Sequence, residues 1–244
     1  MINNDYFILG CWTDLDVNVL NNYLNSIGNP EKVEWTKNIV CTNKPVFAIK
    51  ATEIKELSKM IARGNWESYL DCKNFASHEA CLIYGNLLNR VREIPLLKKY
   101  LKAYAETADN WAVCDALSLK VTDKNYLEIF DLAKDYISSS KEFSKRIGIR
   151  ILFKLIKYES LHDEIFEILE GFEAEEEYYV NMIIAWLLAE MFIKFREKTL
   201  NFFETGKIND FVINKAVQKC RDSFRVSKED KKMLLKFKRT IDNE

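Results

Sequence analysis

The sequence predicts an all-α chain built from stacked helical pairs, and three observations carry that prediction. Glycine (7) and proline (3) supply only ten of 244 residues, against about 12% in average usage. That leaves too few tight turns for an all-β sandwich or barrel. Apolar residues recur mostly at spacings of three and four, the helical period. From residue 75 onward, helices joined by short loops fall into pairs of about 35 residues.

Taken in order, Leu15, Val19, Tyr23 and Leu24 make one face of a first helix. Asn29-Pro30-Glu31 reads as the start of a second, because proline suits the first helical turn. Ile49, Ile54, Leu57 and Ile61 give a third that ends near Gly64. Further helices are expected at 76–91, 95–107, 110–119, 124–138, 142–157, 161–170, 175–194, 197–204, 209–222 and 227–239. Thr122-Asp123 and Ser227, just before Glu229-Asp230, read as N-terminal caps with acidic first turns. Breaks fall at Gly171, Gly206 and Ser138-Ser139-Ser140. With no low-complexity stretch and no long linker, one all-helical domain over 1–244 is expected: N-terminal helices in 1–45, then helical pairs through 46–240. The period suits a solenoid of the HEAT type, where each pair covers the apolar face of the next. A globular helical bundle is the competing arrangement.

Composition narrows the function classes. There is no GxGxxG and no GxxxxGK[ST], which excludes a glycine-cradled nucleotide enzyme of the Rossmann or P-loop kind. The six cysteines (Cys11, Cys41, Cys72, Cys81, Cys114, Cys220) contain no CxxC, and His78 and His162 lie far apart. Neither a zinc site nor a disulfide framework is expected, and reduced thiols fit a cytoplasmic protein. The start, MINNDYFILG, lacks the features of a secretion signal. The longest apolar run, Met182 to Ala189, is far below the ~20 residues of a membrane span. No membrane, metal or cofactor is expected, and the protein is read as a monomer.

Charge is segregated although the net value is −1. Lys141 to Lys157 holds six basic residues against Glu142 alone. Lys215 to Arg239 holds ten against Asp222, Glu229 and Asp230. Between them, Glu159 to Glu190 carries ten acids and no Lys or Arg. Segregated positive charge is the footprint of a polyanionic partner, whereas solvated helix faces produce the same pattern without one.

Three segments hold candidate chemistry. Trp111 and Asp115 are four apart, hence on one face of a helix. A carboxylate beside an aromatic plane suits a developing cation. Arg146, Arg150 and Lys154 repeat at four beside Ile147, Ile151 and Leu155, and arginine's planar fork can bind two phosphate oxygens. Tyr179, Met182 and Trp186 share one side of a very apolar helix. Each has a plainer explanation: a core tryptophan, an aspartate serving the helix dipole, an exposed arginine.

In this order and spacing the segments resemble the AlkD-like family of DNA alkylation repair proteins, which are HEAT-like and whose characterised members are glycosylases of alkylated purines. The resemblance runs from Asn29-Pro30-Glu31-Lys32 to the last basic helix, through NWAVCD (110–115), EFSKRIGIRILF (142–153), YYVNMIIAW (178–186) and NKAVQK (214–219). It implies that Asp115, Trp111, Trp186 and Arg146 are site residues. It further implies that Lys145, Arg150, Lys154, Lys215 and Lys219 hold alkylated double-stranded DNA, with no metal or cofactor. The implied reaction is hydrolysis of the N-glycosidic bond of 3-methyladenine or 7-methylguanine type lesions. The alternative is a non-catalytic relative that binds DNA or a protein partner. There are departures. Ala48-Ile49-Lys50-Ala51-Thr52 stands where the family often has Gly-(Ile/Val)-x-x-Pro, Ile39 replaces an aromatic residue, and Met182 and Ala189 replace basic residues around Trp186. The last of these lowers the DNA affinity to be expected.

Overall fold

The computed structural model describes residues 4–240. Among them are fourteen α-helices, four short 3-10 turns and no strand. They divide into two compact units, the first ending at Ile129 and the second beginning at Phe130.

The first unit contains α1 (Asp14–Ile27), α2 (Val33–Val40), α3 (Ala51–Ile61), α4 (Trp66–Asp71), α5 (His78–Leu88), α6 (Ile94–Thr107) and α7 (Trp111–Asp115). A capping box starts α1, where Thr13 and Asp16 satisfy each other's backbone N–H groups. Helix α2 follows a 3-10 turn at Pro30–Lys32 and stops on Cys41, whose φ of 57° is left-handed. Helix α5 is the hub. Ala80, Cys81, Ile83, Tyr84, Leu87 and Leu88 are all buried, and α3, α4, α6 and α7 pack around it. Phe75, Tyr84 and Tyr104 form an aromatic cluster, with centroids 4.6 Å and 5.7 Å apart along the chain of contacts. Gly85 makes room for it: a Cβ there would stand 2.3 Å from the Tyr104 hydroxyl oxygen.

The second unit takes up α8 (Tyr126–Ile137) from Phe130 onward, then α9 (Glu142–Leu152), α10 (His162–Glu170), α11 (Tyr178–Lys194), α12 (Arg196–Thr205), α13 (Asp210–Asp222) and α14 (Lys228–Met233). Helices α9, α11 and α13 lie side by side and run parallel. Glu142 meets Tyr179 and Tyr178 meets Phe211 near their starts, while Phe153 meets Trp186 and Glu190 meets Arg225 near their ends. The alternate helices make the second layer, through Lys134 with Glu164 and Phe166 stacked on Phe202. Links between successive pairs span 28 to 37 residues, the repeat length read from the sequence. Helix α11 is buried over most of its circumference against α9, α12 and α13, and half-buried along the stripe Tyr179, Met182, Trp186 and Glu190. A Cβ at Gly148 of α9 would lie 2.7 Å from the Ala133 carbonyl oxygen, so the α8/α9 pair depends on that glycine. This is the stacked-pair arrangement of a HEAT-like solenoid.

Several helices differ in length from the expectation. Helix α7 is five residues long where 110–119 is predicted, because the Asn89 side chain takes the Ala116 carbonyl (2.9 Å) and the Ser118 N–H (2.6 Å) and draws the chain out of the helix. Helix α9 ends at Leu152, where the Leu155 N–H bonds back to the Leu152 carbonyl in a tighter turn. Helix α4 is not predicted. Asn65 caps it, its side chain accepting from the Ser68 N–H at 3.1 Å.

Candidate functional site

In the first unit the site is a single helical turn held at both ends and in its middle. Asn110 is buried and caps α7 by accepting from the Val113 N–H at 3.1 Å. Its amide donates to Asp109 (2.9 Å), whose other oxygen accepts from the Thr42 hydroxyl at 2.6 Å. The Trp111 indole N–H donates to the Ile39 carbonyl at 3.0 Å, one of the unpaired acceptors at the end of α2. Tyr104 donates to the Val113 carbonyl at 2.8 Å, and Asn89 secures the exit. A helix of five residues has almost no stability of its own. These ties supply it.

They also fix the predicted pair. Trp111 and Asp115 are the first and last residues of α7, on one face, and both are half-buried. Trp111 is therefore not a core residue. Nor does the helix dipole account for Asp115, since a carboxylate is favoured in the first turn and disfavoured in the last. Two exposed apolar side chains, Trp35 and Ile39, stand one turn apart on α2 beside this element.

In the second unit Arg146 is only 5% exposed. It donates to the Tyr179 carbonyl at 2.5 Å while Glu142, four residues earlier, accepts from the Tyr179 N–H at 3.0 Å. Two residues of α9 thus clamp both backbone groups of one residue, Tyr179, at the start of α11. Burial pushes the Glu142 carboxyl up, opposed by that N–H. Lys145 lies 2.5 Å from Glu175, which is almost enclosed. Desolvation works against the Glu175 charge, but hydrogen bonds from Lys145 and the Glu177 N–H outweigh it and hold the carboxyl below its ordinary range.

Trp186 is half-buried, with Phe153 edge-on at 4.7 Å and the Arg150 guanidinium 5.5 Å from its ring. Lys154 is exposed. Lys215 sits 5.4 Å from the Phe211 ring, in a cleft of about 350 Å³ that Asn214, Gln218, Lys238 and Arg239 also line. Lys219 is half-buried one turn further along α13. The structure thus brings Arg150 onto Trp186 within one unit, and Trp111 and Asp115 onto one face within the other. Sequence reasoning missed the residues that position them. Asn110 carried a readable capping signal because its backbone partner is three residues away, whereas Tyr104, Asn89 and Glu142 carried none, their backbone partners lying nine or more residues away. Among the described residues no group of three or more His, Cys, Asp or Glu is placed to hold a metal ion, and no helix is long and apolar enough to cross a membrane.

Fold and side chains together define a HEAT-like helical-repeat protein with an aromatic–carboxylate face and one arginine, Arg150, against a second tryptophan. The family described as DNA alkylation repair enzyme matches residues 20–220. The chain belongs to that family. No curated protein matches it.

Proposed function

We propose that the protein is a DNA glycosylase that removes cationic alkylated purines, of the 3-methyladenine or 7-methylguanine type, from duplex DNA. The observation that carries this reading is the half-exposed Trp111–Asp115 face of α7 in a member of the DNA alkylation repair family. When the bond between C1′ and the base nitrogen breaks, the base leaves with the electron pair and loses its positive charge. The sugar acquires that charge. Asp115 stabilises the cationic sugar and orients a water that adds to C1′ and releases a proton, leaving an abasic site. Trp111, its N–H already committed to Ile39, offers only ring surface to the sugar-phosphate backbone and excludes water there. In the second unit Trp186 packs against backbone, and Arg150, Lys154, Lys215 and Lys219 supply positive charge for phosphates. The leaving group is already charged, so no deep base pocket, metal or cofactor is needed.

Release of methylated bases from methylated duplex DNA tests the reading. The wild type releases them, and Asp115→Asn is slower by about 100-fold or more. No release by the wild type removes the activity; equal release by the variant removes the role of Asp115. One observation favours a second reading, a non-catalytic binder: Arg146 is buried and Lys145 is matched by Glu175, which lowers the charge left for phosphates. DNA binding that weakens steeply with salt, without release, supports that reading. Salt-insensitive binding points to a protein partner instead.

A further inference from the structure

The family match ends at residue 220, but the chain continues past α13 into a basic segment that packs back on the fold. After α14, a 3-10 turn at Leu234–Phe237 buries Leu234 and Phe237, the latter edge-on to Phe203 with ring centroids 5.7 Å apart. Asn214 of α13 then holds both backbone groups of Arg239, its amide donating to the carbonyl at 2.8 Å and its oxygen accepting from the N–H at 2.9 Å. The Arg239 guanidinium is committed to the Ile208 and Phe203 carbonyls and to Asp210, which offsets its charge at 3.0 Å. Lys238 stands exposed between these anchors, so its backbone is fixed although it lies outside any helix.

On the other side of a cleft of about 350 Å³, α13 presents Phe211, Asn214, Lys215 and Gln218, which lie three, four and seven residues along from Phe211 and so form one stripe. The Lys215 ammonium sits 5.4 Å from the Phe211 ring centroid. Among the described residues neither Lys215 nor Lys238 is ion-paired, whereas Arg196, Arg225, Lys236 and Arg239 all are. Two ammonium groups beside an aromatic ring suit one unit of a nucleic-acid backbone, the ring against the sugar and the charges on the phosphate.

We infer that this cleft, one wall of which lies beyond the family match, binds a backbone phosphate of duplex DNA through Lys215 and Lys238. The inference rests on the reading of the protein as acting on DNA, but not on cleavage of the glycosidic bond. A phosphate held there carries no base information, so the cleft strengthens binding equally on damaged and undamaged duplex.

The test is fluorescence anisotropy of a labelled, undamaged duplex with the full chain over a series of salt concentrations. Lys215→Ala and Lys238→Ala each weaken binding about tenfold at low salt, and each lower the slope of log affinity against log salt by about 1. Lys236→Ala is the control: that ammonium pairs with Glu204 at 3.6 Å and does not line the cleft, so binding changes by less than about twofold. Equal loss in Lys236→Ala and Lys238→Ala overturns the inference, because general basic charge then accounts for the effect. Wild-type duplex binding that neither cleft variant alters also overturns it, and leaves the glycosylase reading standing. A wild type that binds no duplex overturns both. Calorimetric titration with inorganic phosphate and with thymidine monophosphate separates a backbone phosphate from a free one. Both bind weakly, with Kd on the order of millimolar, as expected for a few exposed charged contacts. Micromolar binding of either, lost in Lys215→Ala and Lys238→Ala while duplex affinity is unchanged, assigns the cleft to a free phosphate and overturns the backbone assignment.

Discussion

The support beneath α7 can be tested quantitatively with Gly85 and Tyr104. Tyr104 is fully buried and donates to the Val113 carbonyl at 2.8 Å, in the middle of the turn that carries Trp111 and Asp115. Tyr104→Phe leaves that carbonyl without its partner and costs about 1.5 kcal/mol. Gly85→Ala puts a Cβ 2.3 Å from the Tyr104 oxygen and 2.9 Å from its ring carbon. Helix propensity favours alanine by about 1 kcal/mol. Against that, the ring must retreat by about 1 Å, which breaks the same hydrogen bond and repacks the Phe75–Tyr84–Tyr104 cluster, for a net cost of about 2 kcal/mol. In the double variant the hydroxyl is gone and the hydrogen bond is lost only once. Its destabilisation is therefore less than the sum of the singles by about 1–1.5 kcal/mol. Denaturant unfolding of the four proteins measures the coupling. Additivity within about 0.4 kcal/mol refutes the argument that Gly85 exists to let Tyr104 reach α7.

Two further predictions concern stability. Ala48 adopts a left-handed φ of 57°, held there by the buried Glu79 carboxylate, which accepts from the Phe47 N–H at 3.0 Å and the Ile49 N–H at 3.4 Å. Ala48→Gly relieves that strain and raises stability by about 0.5–1 kcal/mol after glycine's greater unfolded-state freedom is subtracted, read as a higher melting temperature; a lower one refutes it. Burial, opposed by the charges of Glu79 and Asp109, holds His78 below its ordinary 6.5. A histidine neutral in the fold takes up a proton on unfolding, so stability falls as pH drops from about 6.5 toward the lowered value, and His78→Gln flattens that slope in unfolding curves taken across the window.

The repeat period was legible because it depends on apolar spacing alone, and spacing survives when helix ends shift. The Trp111–Asp115 face was legible for the same reason: four residues complete a turn whether the helix has five residues or ten. The length of α7 was not, since Asn89 ends it from more than twenty residues away with a side chain that bonds only to backbone. Arg146 illustrates the same limit. Its spacing with Arg150 and Lys154 predicts a basic ridge, yet Arg146 is buried and donates to the Tyr179 carbonyl, and no sequence pattern marks a backbone acceptor that far away.

The charge map is where the two levels of description diverge most. Read linearly, basic and acidic blocks alternate, and each basic block suggests a polyanion. In three dimensions members of the blocks pair across neighbouring repeats, Lys145 with Glu175 and Arg225 with Glu190, and Lys134 with Glu164 and Arg239 with Asp210 each join one block to a charge outside the others. A repeat of about 35 residues places side chains one period apart next to each other, so charge alternating over that distance is complementary charge in the stack. Exposed pairs of this kind add little stability each, and partly enclosed ones such as Lys145–Glu175 chiefly fix how one repeat sits on the next. On the proposed reading, the positive charge for a DNA backbone lies in the second unit, on Arg150 at Trp186, Lys154, and the Lys215–Lys219 stretch of α13. A near-neutral chain can thus use part of its charge to register repeats and still leave basic side chains such as Lys154 exposed.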